Sequence, residues 1–175
     1  MKIVRTSILA SLLPVLLSTV PVHAQVLSAT ADVKGITCAL CLPPLEQAAR
    51  SQPGVGDVKI SMSRQTVDMS YAKDAPLNFS ALDQTLAGLN ANVQRLRIVA
   101  RGQVAGSAAK REFVAGKNRF LLTAASPALP QGKPLIVTGL LEQGSGPMQL
   151  TVTQFAVGAH AALPDQADSL KATTP

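Results

Sequence analysis

Aromatic side chains are scarce in this sequence of 175 residues, which contains no tryptophan, one tyrosine and four phenylalanines. Its core must therefore be aliphatic, built from Val, Leu, Ile and Ala rather than from stacked aromatic rings. The same scarcity argues against single-stranded nucleic acid as a ligand, because proteins bind it largely by stacking bases on aromatic side chains.

The sequence also lacks an apolar run long enough for a transmembrane helix, which needs about 20 residues. The N-terminal run, from Ile8 to Leu17, is shorter and is interrupted by Pro14. It follows two basic residues and precedes a small-x-small site at residues 22–24, a pattern typical of an export signal. We therefore expect residues 1–24 to be a signal peptide and the remaining protein to be periplasmic, without stable membrane insertion.

Cysteine occurs only twice, as Cys38 and Cys41, and neither lies at the expected cleavage site, which excludes a lipid-anchored form. Two thiolates in a C-x-x-C spacing can bind one soft ion from a single loop. The alternatives are a redox-active pair that exchanges disulfides, and an inert disulfide in an oxidising compartment. A disulfide that closes so short a loop adds little chain-entropy stabilisation, so we favour metal binding.

Charged residues are few, 15% of the chain, but the formal net charge is +6. Between residues 95 and 119 only Glu112 is acidic, whereas seven residues are basic: Arg95, Arg97, Arg101, Lys110, Arg111, Lys117 and Arg119. Such a segment could attract an acidic protein or anionic lipid. We favour a solvated face that keeps the protein soluble, and we expect no nucleic-acid partner for an exported protein.

The spacing of apolar residues between 27 and 99 predicts the order β-α-β-β-α-β. Pro43 and Pro44 suit the first turn of the first helix, where a missing N–H is tolerated. Asn78 or Ser80 is expected to cap the second helix. This order is the split βαβ plan, in which both helices cover one face of an antiparallel sheet.

Three motifs accompany this order: Gly35-Ile36-Thr37-Cys38-x-x-Cys41, then Pro53-Gly54-Val55, then Ala87-Gly88. With them, residues 26–99 resemble the heavy-metal-associated domain, the ferredoxin-like module of copper chaperones, copper-ATPase N-termini and the exported mercury-binding protein. The resemblance implies that Cys38 and Cys41 bind a metal ion on an exposed loop, where a partner's thiols can take it.

Other residues of this loop have expected roles. Gly35 permits the turn, and Thr37 is expected to orient the loop through backbone hydrogen bonds. Cys41 lies at the start of a helix, where the dipole favours thiolate. The family usually has Met where this chain has Ile36, which preserves a buried apolar plug. Bacterial members often have a shielding Tyr where this chain has Leu89.

After residue 99 glycines separate short β-branched runs, at 119–123, 135–141 and 148–155. Four or five strands without a helical pattern predict a small barrel or sandwich, and the Val-Thr-Gly-Leu-Leu run resembles an OB-type barrel. The predicted fold class is therefore α+β. It comprises a ferredoxin-like domain at 25–99, a small all-β barrel at 100–157 and a disordered tail at 158–175.

The remaining soft or titratable side chains suggest no second site. Met62 and Met69 fall in the apolar phase of predicted strands and are expected to pack in the core, and Met148 alone indicates no site. His160 follows the last predicted strand and is expected to be solvated. No catalytic set of residues is present, so we do not expect an enzyme.

These patterns together predict an exported, monomeric metal carrier. It would capture Cu(I), or else Hg(II) or Zn(II), through Cys38 and Cys41. It would buffer the ion or hand it by thiol exchange to a metal-transport ATPase or another metalloprotein. The alternatives are a periplasmic thiol–disulfide exchange protein and an interaction module switched by metal.

Overall fold

The computed structural model describes residues 25–107, 110–142 and 146–158. The predicted signal peptide and nearly all of the predicted tail lie outside these residues. The first part of the described chain has the predicted element order: β1 (Gln25–Lys34), a 3-10 turn (Ala39–Cys41), α1 (Leu42–Arg50), β2 (Val55–Ser61), β3 (Thr66–Tyr71), α2 (Phe79–Ala87) and β4 (Asn92–Ser107).

The two helices begin and end where local sequence signals place them. Prolines occupy the first turn of α1, and Asn78 caps α2 by accepting a hydrogen bond from the Ala81 amide at 3.0 Å. Each helix buries one apolar stripe against the sheet, formed by Leu45 and Ala49 in α1 and by Leu82 and Leu86 in α2. The predicted cap and helical stripes are thus confirmed.

The first four strands pair in the order β2-β3-β1-β4, and every neighbouring pair is antiparallel. This is the strand order of the split βαβ plan, so the ferredoxin-like prediction for the first part is confirmed by the topology. Along β4 the side chains alternate, with Leu96 and Ile98 buried and Arg95 and Arg97 exposed. The period-2 pattern therefore sets which face meets the helices.

The second part of the chain adds four strands: β5 (Lys110–Ala115), β6 (Asn118–Leu122), β7 (Leu135–Glu142) and β8 (Gln149–Val157). The strands β6, β7 and β8 overlap the three predicted β-branched runs, whereas β5 precedes them. Together with β4 they pair in a closed circuit, β4-β5-β6-β8-β7 and back to β4, in which only the β6–β8 pair is parallel. The described chain is therefore a mixed α and β structure with one large sheet.

Strand β4 belongs to both parts. Its residues 92–101 pair with β1, 96–102 with β7 and 103–107 with β5. The boundary predicted after residue 99 thus falls inside one continuous strand. Gly102 is one of the glycines after residue 99 that are predicted to separate strands. It lies instead within β4, where a side chain would collide with the Val114 carbonyl of β5.

Buried apolar side chains from both parts form one core. It is aliphatic apart from a few aromatic rings, among which Phe113 of β5 and Phe120 of β6 are fully buried and are paired in register. Asn118 is a buried polar residue at the junction, hydrogen-bonded to the segment that precedes α2. Within the described residues, no helix is long and apolar enough to cross a membrane.

Candidate metal centre

Cys38 and Cys41 lie in the loop that connects β1 to α1. Cys38 is the N-cap residue of the 3-10 turn and has extended backbone, and Cys41 is the N-cap residue of α1. The Cys41 amide donates to the Cys38 carbonyl at 3.2 Å, which closes the turn between them. The prediction that Cys41 lies at the start of a helix is therefore confirmed.

The two sulfurs are joined as a disulfide, with 5.5 Å between the Cα atoms, so the described residues include no free cysteine. The loop thus brings both sulfur atoms to one point, as any shared ligand requires. It does so in the oxidised form, whereas metal ligation needs thiolates. The ligand role of Cys38 and Cys41 stays a prediction, and so do the two disulfide alternatives.

The loop is open to solvent around the cysteines. Leu40, between them, is 89% exposed, and Thr37 and Ala39 are also exposed, while the cysteines themselves are half-buried. Because the cysteines are only half-buried and the residues around them are exposed, another protein surface can approach the pair.

The start of the loop is fixed by Gly35 and Ile36, which precede Cys38. Gly35 has φ +110°, and a side chain there would collide with the carbonyl of Asn90 in the α2–β4 turn. Ile36 is only 4% exposed and packs in the core. The expected roles of Gly35 as a turn residue and of Ile36 as a buried plug are confirmed.

The backbone of this loop is held by Gln65, in the turn between β2 and β3. The Gln65 side chain donates to the Ile36 carbonyl at 2.8 Å, and its Oε1 accepts from the Ile36 amide at 3.3 Å. Thr37, the residue expected to orient the loop, is exposed, and Gln65 makes these hydrogen bonds instead. Sequence reasoning missed Gln65, because its place in a polar Ser-Arg-Gln turn gives no signal of a contact 29 residues away.

Leu89, which aligns with the shielding Tyr of the domains that the sequence resembles, lies just after α2 and is 37% exposed. It belongs to the same turn as Asn90, which abuts Gly35. It also borders a shallow groove between α1 and α2 that includes Pro44 and Gly88. The α2–β4 turn therefore lies beside the cysteine loop, as the shielding hypothesis requires.

The methionines behave as core residues. Met69 is 2% exposed, and Met62 and Met148 are partly buried against the core, so the packing prediction is confirmed. His160 lies outside the described residues. Across the described ranges, no group of three or more His, Cys, Asp or Glu side chains is placed to hold a metal ion.

The basic residues between 95 and 119 are spread over β4, β5, the β5–β6 turn and β6. Arg95 lies 3.8 Å from Asp32, and Glu112 lies 3.8 Å from Lys110 and 3.5 Å from Arg119. These pairs are largely exposed, and exposed pairs contribute about 0–1 kcal/mol each. The arrangement is that of a solvated surface, as expected, and a binding role for it stays untested.

No protein-family model matches the sequence, and no curated protein matches it. Among the solved structures that match is the solution structure of the N-terminal soluble domains of Bacillus subtilis CopA, at 24% identity and a TM-score of 0.36. The match covers 49% of this chain and 58% of that one, so it spans little more than half the length of the CopA structure.

Proposed function

We propose that this protein is a non-catalytic carrier of one thiophilic metal ion, bound between Cys38 and Cys41. The observation that supports it is the placement of both sulfurs on one exposed loop, at the N-terminus of α1. Soft thiolate ligands select Cu(I) over hard cations, with Hg(II) or Zn(II) as alternative cargo.

Capture of the ion requires the reduced loop. A cellular dithiol supplies two electrons and two protons, the sulfur–sulfur bond breaks, and the protein gains two thiols while the dithiol becomes a disulfide. Loss of the thiol protons then gives the two ligands. The start of α1 favours the negative charge at Cys41. Reduction would therefore act as the step that permits loading.

Release of the ion follows from exposure of the loop. A partner with its own thiolates can approach past Leu40, which is 89% exposed, and bind the ion before both original sulfurs have left. We propose a metal-transport ATPase or another metalloprotein as this partner. The export pattern at residues 1–24 supports a periplasmic location, with the carrier acting as a monomer.

The closed circuit formed by β4 and β5–β8 supports an OB-type barrel as the second part of the molecule. In order along the chain, its first strand pairs with the second and fourth, and its third and fifth pair in parallel. In such barrels one strand face and the connecting loops form the ligand-binding surface. We propose that this barrel and the basic segment form the docking surface.

Disulfide exchange is the second candidate function, because the two cysteines form an accessible disulfide in the described structure. A redox protein would pass this bond to a substrate's thiols through a mixed disulfide. Disulfide exchange would need no metal and would use the disulfide itself, whereas the carrier function needs both cysteines reduced.

Anaerobic titration of the reduced protein with Cu(I), against a competing chelator, tests the proposal. We expect one tightly bound ion per chain, lost in Cys38→Ser/Cys41→Ser and kept in the control Met62→Leu, which removes a thioether but no thiol. Binding that is absent, or unchanged in the double variant, would contradict the carrier. Faster reshuffling of a scrambled disulfide substrate would then favour exchange.

A further inference from the structure

Ile36 lies in a stretch of chain that belongs to no strand or helix, between the end of β1 at Lys34 and the turn that begins at Ala39. Its side chain is buried, so its backbone amide and carbonyl are partly withdrawn from water. Buried backbone groups need hydrogen-bond partners. At Ile36 both partners come from one side chain, that of Gln65.

Gln65 is itself held firmly. Its backbone has φ +54°, its carbonyl accepts from the Val33 amide at 2.9 Å, and its side chain donates a second bond to the Met62 carbonyl at 2.8 Å. The amide group therefore reaches the loop from the rigid end of the β2–β3 hairpin. On the other side, Gly35 rests against the Asn90 carbonyl. The loop is fixed from both sides just before Cys38.

We propose that Gln65 is the positioning residue of the cysteine loop. By holding Ile36 it fixes the path of the chain into Cys38, while α1 independently fixes Cys41. The two sulfurs then stay close to each other after reduction as well as in the disulfide. The effect on metal affinity rests on the proposed function, whereas the effect on the disulfide does not.

The first test is Gln65→Asn. Asn tolerates the left-handed backbone that this turn requires, so the hairpin is preserved, but its side chain is one methylene too short to reach Ile36. Both hydrogen bonds to Ile36 are then lost. If about 1 kcal/mol of their combined energy holds the thiols together, the effective concentration of one thiol near the other should fall about fivefold. The matched control is Gln52→Asn, which shortens a glutamine that bonds to Thr85 between the two helices instead.

The measurement is the equilibrium with dithiothreitol, in which the protein disulfide and the reagent dithiol exchange two electrons and two protons. We expect Gln65→Asn to shift it about fivefold toward the protein dithiol, about 20 mV for this two-electron couple. The affinity of Gln65→Asn for Cu(I) should also be lower than that of the wild type. The control Gln52→Asn should match the wild type in both the dithiothreitol equilibrium and the Cu(I) affinity.

A wild-type equilibrium and wild-type Cu(I) affinity in Gln65→Asn would overturn the positioning role. Gln65→Met, which keeps the length but not the hydrogen bonds, should reproduce the shift. Loss of the fold in both variants would also overturn the inference, because Gln65 would then serve the hairpin. If the wild type binds no Cu(I), the carrier proposal fails, yet the dithiothreitol equilibrium still tests Gln65.

Discussion

At the scale of single residues, Tyr71 offers a clean probe of the fold because it is the only tyrosine in the chain. It ends β3 and is 8% exposed, and burial raises its pKa from 10.0 to about 12. The cause is desolvation, which disfavours the charged phenolate. The ultraviolet spectrum of the protein therefore reports the ionisation of this one side chain.

The raised pKa predicts a loss of stability at high pH. Below pH 10 the phenol is neutral in both states, and its contribution is fully present. As the pH rises from 10 to about 12, the unfolded chain loses this proton first, which favours unfolding. We expect the free energy of unfolding in urea to fall by roughly 2 kcal/mol from this group.

Tyr71→Phe isolates the contribution of this phenol to the pH dependence of stability. The variant should lose the part of the pH dependence due to the phenol while keeping the rest. If the free energy of unfolding of Tyr71→Phe depends on alkaline pH in the same way as that of the wild type, then Tyr71 ionises as easily in the folded protein as in the unfolded chain.

The roles of some loop residues could be predicted from the sequence, whereas others depend on tertiary contacts. Gly35, Ile36 and both cysteines form a local motif, so their roles at the turn, in the core and at the helix start could be predicted from sequence. Gln65 could not, because its contact depends on how the β2–β3 hairpin folds against the loop. The orienting role predicted for Thr37 rests on its position beside Cys38 in the sequence, and such proximity carries no information about distant contacts.

At the scale of elements, the two helices start in different ways. In α1 the N-cap residue is Cys41, whose side chain makes no cap hydrogen bond, and prolines in the first turn leave fewer N–H groups to satisfy. In α2 the Asn78 side chain caps the helix in the usual manner. The Cys41 side chain therefore does not cap α1, and its sulfur is instead bonded to Cys38.

This difference predicts the effect of removing the cap of α2. Asn78→Ala should lower the free energy of unfolding by about 1 kcal/mol, the usual effect of losing an N-cap side chain. Chemical denaturation measures it. Ser80→Ala, two residues later, is the matched control, since Ser80 was the other expected cap and its hydroxyl bonds only to the Gln84 side chain. If Ser80→Ala lowers the free energy of unfolding more than Asn78→Ala does, then Ser80 rather than Asn78 caps α2.

Strand β4 is the element that the sequence described least well. Its apolar phase continues from Leu96 to Val104 without a turn. Gly102 looked like a break, yet it is the residue that lets β5 approach. The sequence alone does not distinguish a glycine within a strand from a glycine in a loop. The difference depends on whether a neighbouring strand packs closely against it.

At the scale of the whole molecule, Asn118 connects the two parts. From β6 its Oδ1 accepts from the Leu77 amide at 2.8 Å, and its Nδ2 donates to the Ala75 carbonyl at 2.9 Å. Ala75 and Leu77 precede α2 and are themselves buried. The shared strand β4 and this buried asparagine join the parts into one structural unit.

We therefore predict a single cooperative unfolding transition, and a strong effect of Asn118→Ala. Loss of the side chain leaves a buried amide and a buried carbonyl without partners, each costing about 1–3 kcal/mol. Urea denaturation should show a loss of at least about 2 kcal/mol. Asn92→Ala, at the exposed start of β4, should change it by less than about 0.5 kcal/mol.

Two separate transitions would contradict this prediction. Tyr71 reports the first part, and hydrogen exchange of the β6 and β7 amides reports the second. If these probes lose structure at different urea concentrations, then the parts unfold independently and the shared strand does not couple them.

The sequence by itself determined the order of strands and helices in the first part, the helix ends, the burial of Ile36 and the place of the cysteine loop. These follow from neighbouring residues and from periods of 2 and 3.6, which a linear pattern contains. Only the tertiary structure decided the continuity of β4, the parallel β6–β8 pair, and the contacts of Gln65 and Asn118. Those contacts join residues 29 to 43 positions apart, and such pairings depend on how whole elements pack.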